Sequence, residues 1–264
     1  MTLPPTELGE IEAFRSLLRG VPGALVRELG GAVCTAYEAT PQSAMFNRAL
    51  GLAAASDREL DEIDAFFAGL GVAYAVTVTP DVDPALPALL ERRGFRRGYA
   101  WTKFRRGSAE PPAVRTDLRV HAAGPEHAAA FADVFTRAYG TPELVRPMIE
   151  RLPSLPGWRC FLAYSGDRPA ASAALFLAGD VAWLGVAGTL PELRGRGAQN
   201  ALLAARIAAA RDAGCSAVVT ETGAPVDGKP GPSYRNILRA GFERAYVREN
   251  YLSSADADTS GTRA

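Results

Sequence analysis

Leu193-Arg194-Gly195-Arg196-Gly197-Ala198-Gln199-Asn200 is the stretch whose reading decides the fold. Before it, Val181-Ala182-Trp183-Leu184-Gly185-Val186-Ala187 is an apolar run of strand length. Pro191 then ends any ladder by removing a backbone donor. After it, Leu203, Ile207 and Ala210 recur at helical spacing through good helix formers. Strand, glycine-arginine turn and helix start therefore follow one another directly. Such a turn offers several backbone N–H groups at the positive end of a helix, which suits a phosphate or pyrophosphate. The plain alternative is a solvated basic loop.

Two familiar phosphate loops do not fit. Gly223 to Lys229 approaches a Walker-type loop, but Pro230 stands where the metal-binding hydroxyl belongs. Gly195-Arg196-Gly197 begins a dinucleotide fingerprint, but Asn200 stands at the third glycine. Downstream, Gly214 stops the helix and Cys215 to Glu221 is a short β-rich run. A loop rich in Gly and Pro leads to Ser233-Tyr234-Arg235-Asn236-Ile237-Leu238-Arg239-Ala240-Gly241-Phe242. The strand Arg244 to Arg248 follows.

The order and spacing of these pieces resemble the GNAT superfamily of N-acetyltransferases. Its acyl-CoA loop has the pattern Arg/Gln-x-x-Gly-x-Gly/Ala, and Arg194, Gly197 and Gln199 fall on the three defined positions. Gln199 departs from the usual small residue. The resemblance implies a cofactor site formed by Arg194, Gly195, Arg196, Gly197, Ala198 and Gln199. Ser233 and Asn236 would flank the pantetheine arm, and Val186, Ala187 and Gly188 would present a backbone donor to the thioester oxygen.

It also implies acetyl transfer from acetyl-CoA to a small-molecule amine or a peptide, without a metal. The family's usual tyrosine acid is replaced by Ile237, so Tyr234 and Tyr246 are the substitutes, with Glu221 as base. Tyr139 falls in the loop that lines the acceptor pocket in the family. The missing tyrosine and Gln199 keep a second reading open: a catalytically silent acyl-CoA sensor or regulatory module.

Composition is that of an ordinary soluble globular protein. The chain has 264 residues, 48% of them hydrophobic, and no formal net charge, which argues against a nucleic-acid binder. The basic run Arg92 to Arg97 falls partly at a helix end, where cations favour the dipole. Cys34, Cys160 and Cys215 lie in apolar runs and read as buried thiols of a reducing compartment. His121 and His127 are the only histidines and carry no metal-ligand spacing. A Gly-x-Ser-x-Gly elbow is absent. With neither leader nor membrane-spanning run, the expected location is the cytoplasm. A homodimer is left open.

The expected fold class is α/β: a mixed, mostly antiparallel sheet flanked by helices, in two tandem copies. Asp117 to Val120, Arg159 to Tyr164 and Pro169 to Leu177 read as strands, with helices over Glu126 to Tyr139 and Pro142 to Leu152. Residues 117–252 would form the acetyl-CoA-binding domain. Leu90 to Tyr99 can be laid on Ile237 to Tyr246, with Gly-Phe and a tyrosine coinciding. Residues 1–106 therefore read as a degenerate copy, whose loop region Asn47 to Ser56 lacks the Arg-x-x-Gly-x-Gly pattern and binds no cofactor. Residues 107–116 read as a linker and 253–264 as a disordered tail.

Overall fold

The computed structural model describes residues 3–141 and 143–253. They divide into two units, Lys103–Ala245 and the remainder, with the final strand belonging mainly to the first part of the chain.

The N-terminal unit begins with α1 (Pro5–Leu18), then β1 (Ala24–Leu29), β2 (Ala32–Tyr37) and β3 (Arg48–Leu50). Next come α2 (Asp57–Leu70), β4 (Ala75–Val78), α3 (Leu86–Arg92) and β5 (Arg96–Gly107). β1, β2 and β3 pair antiparallel, whereas β3 and β4 pair parallel, Arg48 opposite Ala75. The strand order is β1-β2-β3-β4-β11-β5, where β11 (Glu243–Leu252) closes the chain's secondary structure.

Apolar periodicity explains α2: Leu60, Ile63 and Phe67 are buried, and Phe67 stacks on Tyr74 with ring centroids 4.0 Å apart. Gly71 ends the helix at φ 65°, a backbone conformation that favours glycine. Beneath α1 lies a fully buried polar knot. Arg248 of β11 donates to Glu7 Oε2 at 2.8 Å and to both carboxylate oxygens of Glu10, and Arg48 donates to Glu10 Oε1 at 3.0 Å. The Arg48 guanidinium also sits 4.1 Å from the Phe14 ring centroid.

The other unit contains β6 (Arg119–Ala123), α4 (Ala128–Tyr139), α5 (Arg146–Glu150), β7 (Trp158–Ser165), β8 (Arg168–Ala178) and β9 (Val181–Thr189). α6 (Ala198–Asp212), β10 (Ala217–Gly223) and α7 (Pro232–Arg239) complete it. Its strand order is β5-β10-β9-β8-β7-β6. β6 to β9 pair antiparallel, and β9 pairs parallel with β10. One helix or two, three antiparallel strands, a helix, a parallel strand and a helix thus occur in the same order in both units. That is the internal repeat the Gly-Phe pairs point to.

The boundaries differ from the expected ones. Gly107, expected to open the linker, is instead the end of β5, whose alternating side chains Lys103 and Phe104 both find buried places. Arg106 anchors that end by donating to the carbonyls of Ala109 and Ala240. β11, assigned from sequence to the second domain, contributes Tyr246 onward to the first unit through its pairing with β4, Leu252 opposite Ala75. Ser253 is held by Tyr74 through its N–H and its hydroxyl, both at 3.0 Å. The rest of the expected tail lies outside the described residues.

All three cysteines are free and buried. Burial pushes the Cys34 and Cys160 thiols up to about 12 and also raises Cys215. None should therefore react with a thiol reagent at neutral pH until the chain is unfolded, when all three should titrate. A fast-reacting thiol in native protein would contradict this packing.

Candidate active site

The parallel pair β9 and β10 builds the centre of the site by coming apart. Their register runs from Val181 opposite Ala217 to Leu184 opposite Thr220 and stops there, although both strands continue. Thr220 closes the last paired step by donating to the Leu184 carbonyl at 2.8 Å. Beyond it, Gly185 to Thr189 and Glu221 to Gly223 diverge.

On its other edge, β9 carries a bulge. Ser172 faces Gly188 and Ala174 faces Gly185, so three steps on β9 match two on β8. Val186, inside the bulge, has φ 46°, a strained value for a β-branched residue. Val186 and Ala187 therefore lie unpaired in the bulge, past the point where β9 has left β10, and Gly188 rejoins β8 opposite Ser172. Tyr139, at the end of α4, donates its hydroxyl to the Ala187 carbonyl at 2.6 Å. Its hydroxyl is engaged inside the chain, and burial raises its pKa. Gly188 admits α4: a Cβ there would sit 2.7 Å from the Ala138 Cβ.

After β9 the chain turns through Arg194-Gly195-Arg196-Gly197 into α6. Gly195 and Gly197 have φ 79° and 82°, and Gly197 is the N-cap. No side chain caps α6, so the N–H groups of Ala198, Gln199 and Asn200 lack intrahelical partners and face outward at the positive end of the helix dipole. Thr116 supports the turn from behind by donating to the Arg196 carbonyl at 2.7 Å.

The two arginines have different jobs. Arg196 is bound to Ser165 at 2.6 Å and to Asp117, whose carboxyl it holds below the usual range. Arg194 is exposed, and its side chain makes no hydrogen bond or ion pair among the described residues, which leaves it free to reach an anion. The equivalent helix of the N-terminal unit differs: Glu59 places its own carboxylate at the start of α2, accepting from Ser56 N–H at 2.7 Å. A carboxylate already sits where an anion would bind.

Gln199 now has a structural reason. Its amide donates to Ser233 Oγ and accepts from Asn236 Nδ2, both at 2.8 Å, tying the first turn of α6 to α7. The two predicted residues of α7 are thus brought to the turn. Tyr234 packs edge-on against Phe104 at 5.0 Å, its hydroxyl making no hydrogen bond among the described residues. Tyr246 is not brought here. It belongs to the N-terminal unit, where its hydroxyl donates to Glu7 at 2.6 Å and lies 2.6 Å from Thr6 Oγ1. Burial and the Glu7 charge raise its pKa, and its hydroxyl is already committed to Glu7. Tyr246 is therefore a misassignment: the strand register aims it into the α1 knot.

Glu221 stands at the divergence, but in company that sequence reasoning missed. Lys103, fully buried, donates to Oε2 at 3.0 Å, and Trp183 Nε1 lies 3.1 Å from both oxygens. The ammonium stabilises the carboxylate as its anion. Trp183 reaches it by lying over Gly185, where a Cβ would fall 1.9 Å from the ring. The signal for Lys103 was faint: one of two lysines, in an otherwise apolar and aromatic stretch.

Glu221→Gln should destabilise the fold by about 3 kcal/mol by stranding a buried cation. The double variant Lys103→Met/Glu221→Gln should recover most of that, as read by urea unfolding. Additive losses would show that the pair does not interact.

Arg206 was also missed. It replaces an apolar residue on the buried stripe of α6 and is 3% exposed, and burial pushes its pKa down to about 9. Among the described residues there is no group of three or more His, Cys, Asp or Glu side chains able to hold a metal, and no helix long and apolar enough to cross a membrane.

Comparison with known proteins decides the family. The acetyltransferase (GNAT) domain family matches residues 91–224. The chain belongs to the GNAT acetyltransferase family. It is an acyltransferase by that membership, and the matched residues include the α6 turn and the β9–β10 divergence.

The whole chain has the GNAT fold. A GCN5-related N-acetyltransferase from Kribbella flavida superposes with a TM-score of 0.64 at 18% identity, over 92% of this chain and 94% of that one. A tandem GNAT protein from the clavulanic acid biosynthesis pathway gives 0.58 at 16%, over 96% and 88%. A GNAT-family acetyltransferase from Colwellia psychrerythraea gives 0.56 at 15%, over 96% and 97%. No curated protein matches by sequence.

Proposed function

We propose that the protein transfers an acetyl group from acetyl-CoA to an amine, with the chemistry confined to the unit containing α6. The observation that carries the reading is the uncapped N-terminus of α6, preceded by two left-handed glycines and an uncommitted Arg194. Its geometry suits a pyrophosphate. Ser233, Gln199 and Asn236 would border the pantetheine arm.

Acetyl-CoA supplies an activated thioester. The chain's part is to fix and polarise it. A bulge N–H at Val186 or Gly188 donates to the thioester oxygen as the amine attacks and negative charge develops there. Glu221 takes the amine proton through water, its charge held in place by Lys103 and Trp183. Tyr234 protonates the departing thiolate. The acceptor is a small-molecule amine or a peptide. Cytoplasmic residence agrees with this substrate pair.

Calorimetric titration with acetyl-CoA, followed by a screen of amines for CoA release, tests the reading. Saturable binding with amine-dependent release supports it. Binding without release on a broad panel would favour a silent sensor, a reading that the fully engaged Glu221 carboxylate keeps alive. A folded protein that does not bind would sink both.

A further inference from the structure

The β9 bulge needs an explanation of its own, because Val186 at φ 46° persists only if its surroundings hold it there. Two side chains grip it, from two different helices. Arg206 of α6 donates through Nη1 to the Gly185 carbonyl at 3.4 Å and to the Ala174 carbonyl at 3.1 Å. These two residues face each other as the pair adjoining the bulge. Arg206 Nε donates to the Leu202 carbonyl at 3.0 Å, which fixes the fork. Tyr139 of α4 takes the Ala187 carbonyl.

A trans peptide points its C=O and N–H in opposite directions. Fixing the Gly185 carbonyl therefore sets the direction of the Val186 N–H, and fixing the Ala187 carbonyl sets that of the Gly188 N–H. We propose that Arg206 is a positioning residue that, with Tyr139, clamps the bulge so that its N–H groups stay aimed at the acyl oxygen. The inference rests on the transferase reading for its purpose, but the clamp itself is independent of it.

The charge of Arg206 supports this assignment. Among the described residues it forms no ion pair, and a buried cation without an anion is expensive. An aliphatic side chain could fill the space without that cost, but it could not bridge two carbonyls on different strands. Lysine could reach one or the other as a point donor and would lose the planar fork.

Hydrogen exchange on the full chain tests the clamp, with Arg206→Met, Arg206→Lys and Tyr139→Phe compared with the parent. In the parent, acetyl-CoA should slow exchange at the 186–188 amides more than CoA does, because only the thioester carries the oxygen. Arg206→Met should speed exchange at those amides roughly tenfold and abolish the difference between acetyl-CoA and CoA, with affinity for acetyl-CoA within about threefold of the parent and α6 protection unchanged.

Arg206→Lys should fall between the two, and Tyr139→Phe should act chiefly at Gly188. Unchanged exchange at residues 186–188 in a folded Arg206→Met protein would overturn the proposal; if that variant does not fold, Arg206→Lys carries the same comparison. If the parent binds no acetyl-CoA, the transferase reading fails, while exchange in the free protein still decides whether Arg206 clamps the bulge.

Discussion

Gly197→Glu should lower acetyl-CoA affinity at least 100-fold, about 2.7 kcal/mol, in a protein that still folds. Three effects act together at this position. Its φ of 82° disfavours any side chain, and a Cβ there would lie 3.3 Å from the Thr116 Cβ and 3.4 Å from the Arg115 carbonyl. The new carboxylate would then sit at the uncapped start of α6, where the dipole welcomes it and where it would compete for the N–H groups of Ala198 to Asn200. It would also repel a pyrophosphate.

The helix need not suffer, because a carboxylate is a good N-terminal neighbour, so binding should fall without a matching fall in stability. At the start of α2 a carboxylate is already accommodated, the N3 residue Glu59 accepting from the N-cap Ser56 N–H. Calorimetry on parent, Gly197→Ala and Gly197→Glu separates the contributions. The alanine variant carries only the strain and should lose much less. If the glutamate variant binds within a few fold of the parent, the turn is not the anion cradle and the family's loop is silent here.

Arg248→Met should cost about 3–5 kcal/mol of stability at neutral pH. Arg248 is fully buried and serves both Glu7 and Glu10, which are themselves 0% and 1% exposed. Removing it takes away the cation the two carboxylates share while leaving them in a low-dielectric interior. The sign of the pH dependence follows. A carboxylate that has lost its cation is relieved by taking up a proton, so the gap between variant and parent should be widest near neutrality and narrow as the pH falls. Denaturant unfolding at several pH values reads both effects. A deficit below about 1 kcal/mol, or one that does not change with pH, would mean that the knot is held by packing alone.

Both predictions concern residues whose legibility differs sharply. Gly197 could be found from the chain alone, because a strand, a Gly-Arg turn and a helix must follow one another in sequence for the turn to work. The same locality made Ser233 and Asn236 readable as neighbours of that turn, where Gln199 bonds both. Arg248 and Glu7 are 241 positions apart, and nothing in either neighbourhood announces the other. Lys103 and Arg206 were passed over for a related reason: a buried charge looks like a surface charge until its partners are known. Tyr246 was misassigned because its Gly-Phe spacing is right, while the strand that carries it is taken up by the other unit.

What the amino-acid order determined by itself was everything carried by short-range periodicity and turn chemistry. That comprises the α/β class, the repeated order of elements, the succession of strand, Gly-Arg turn and helix, and the family. Tertiary structure alone decided which side chains that order brings into contact: the divergence of β9 from β10, the bulge at Val186, the Lys103–Glu221–Trp183 cluster and the clamp of Arg206. The physical reason is that propensities and caps act over a few residues. Strand register and the pairing of buried charges, in contrast, are settled only when distant segments exclude water together.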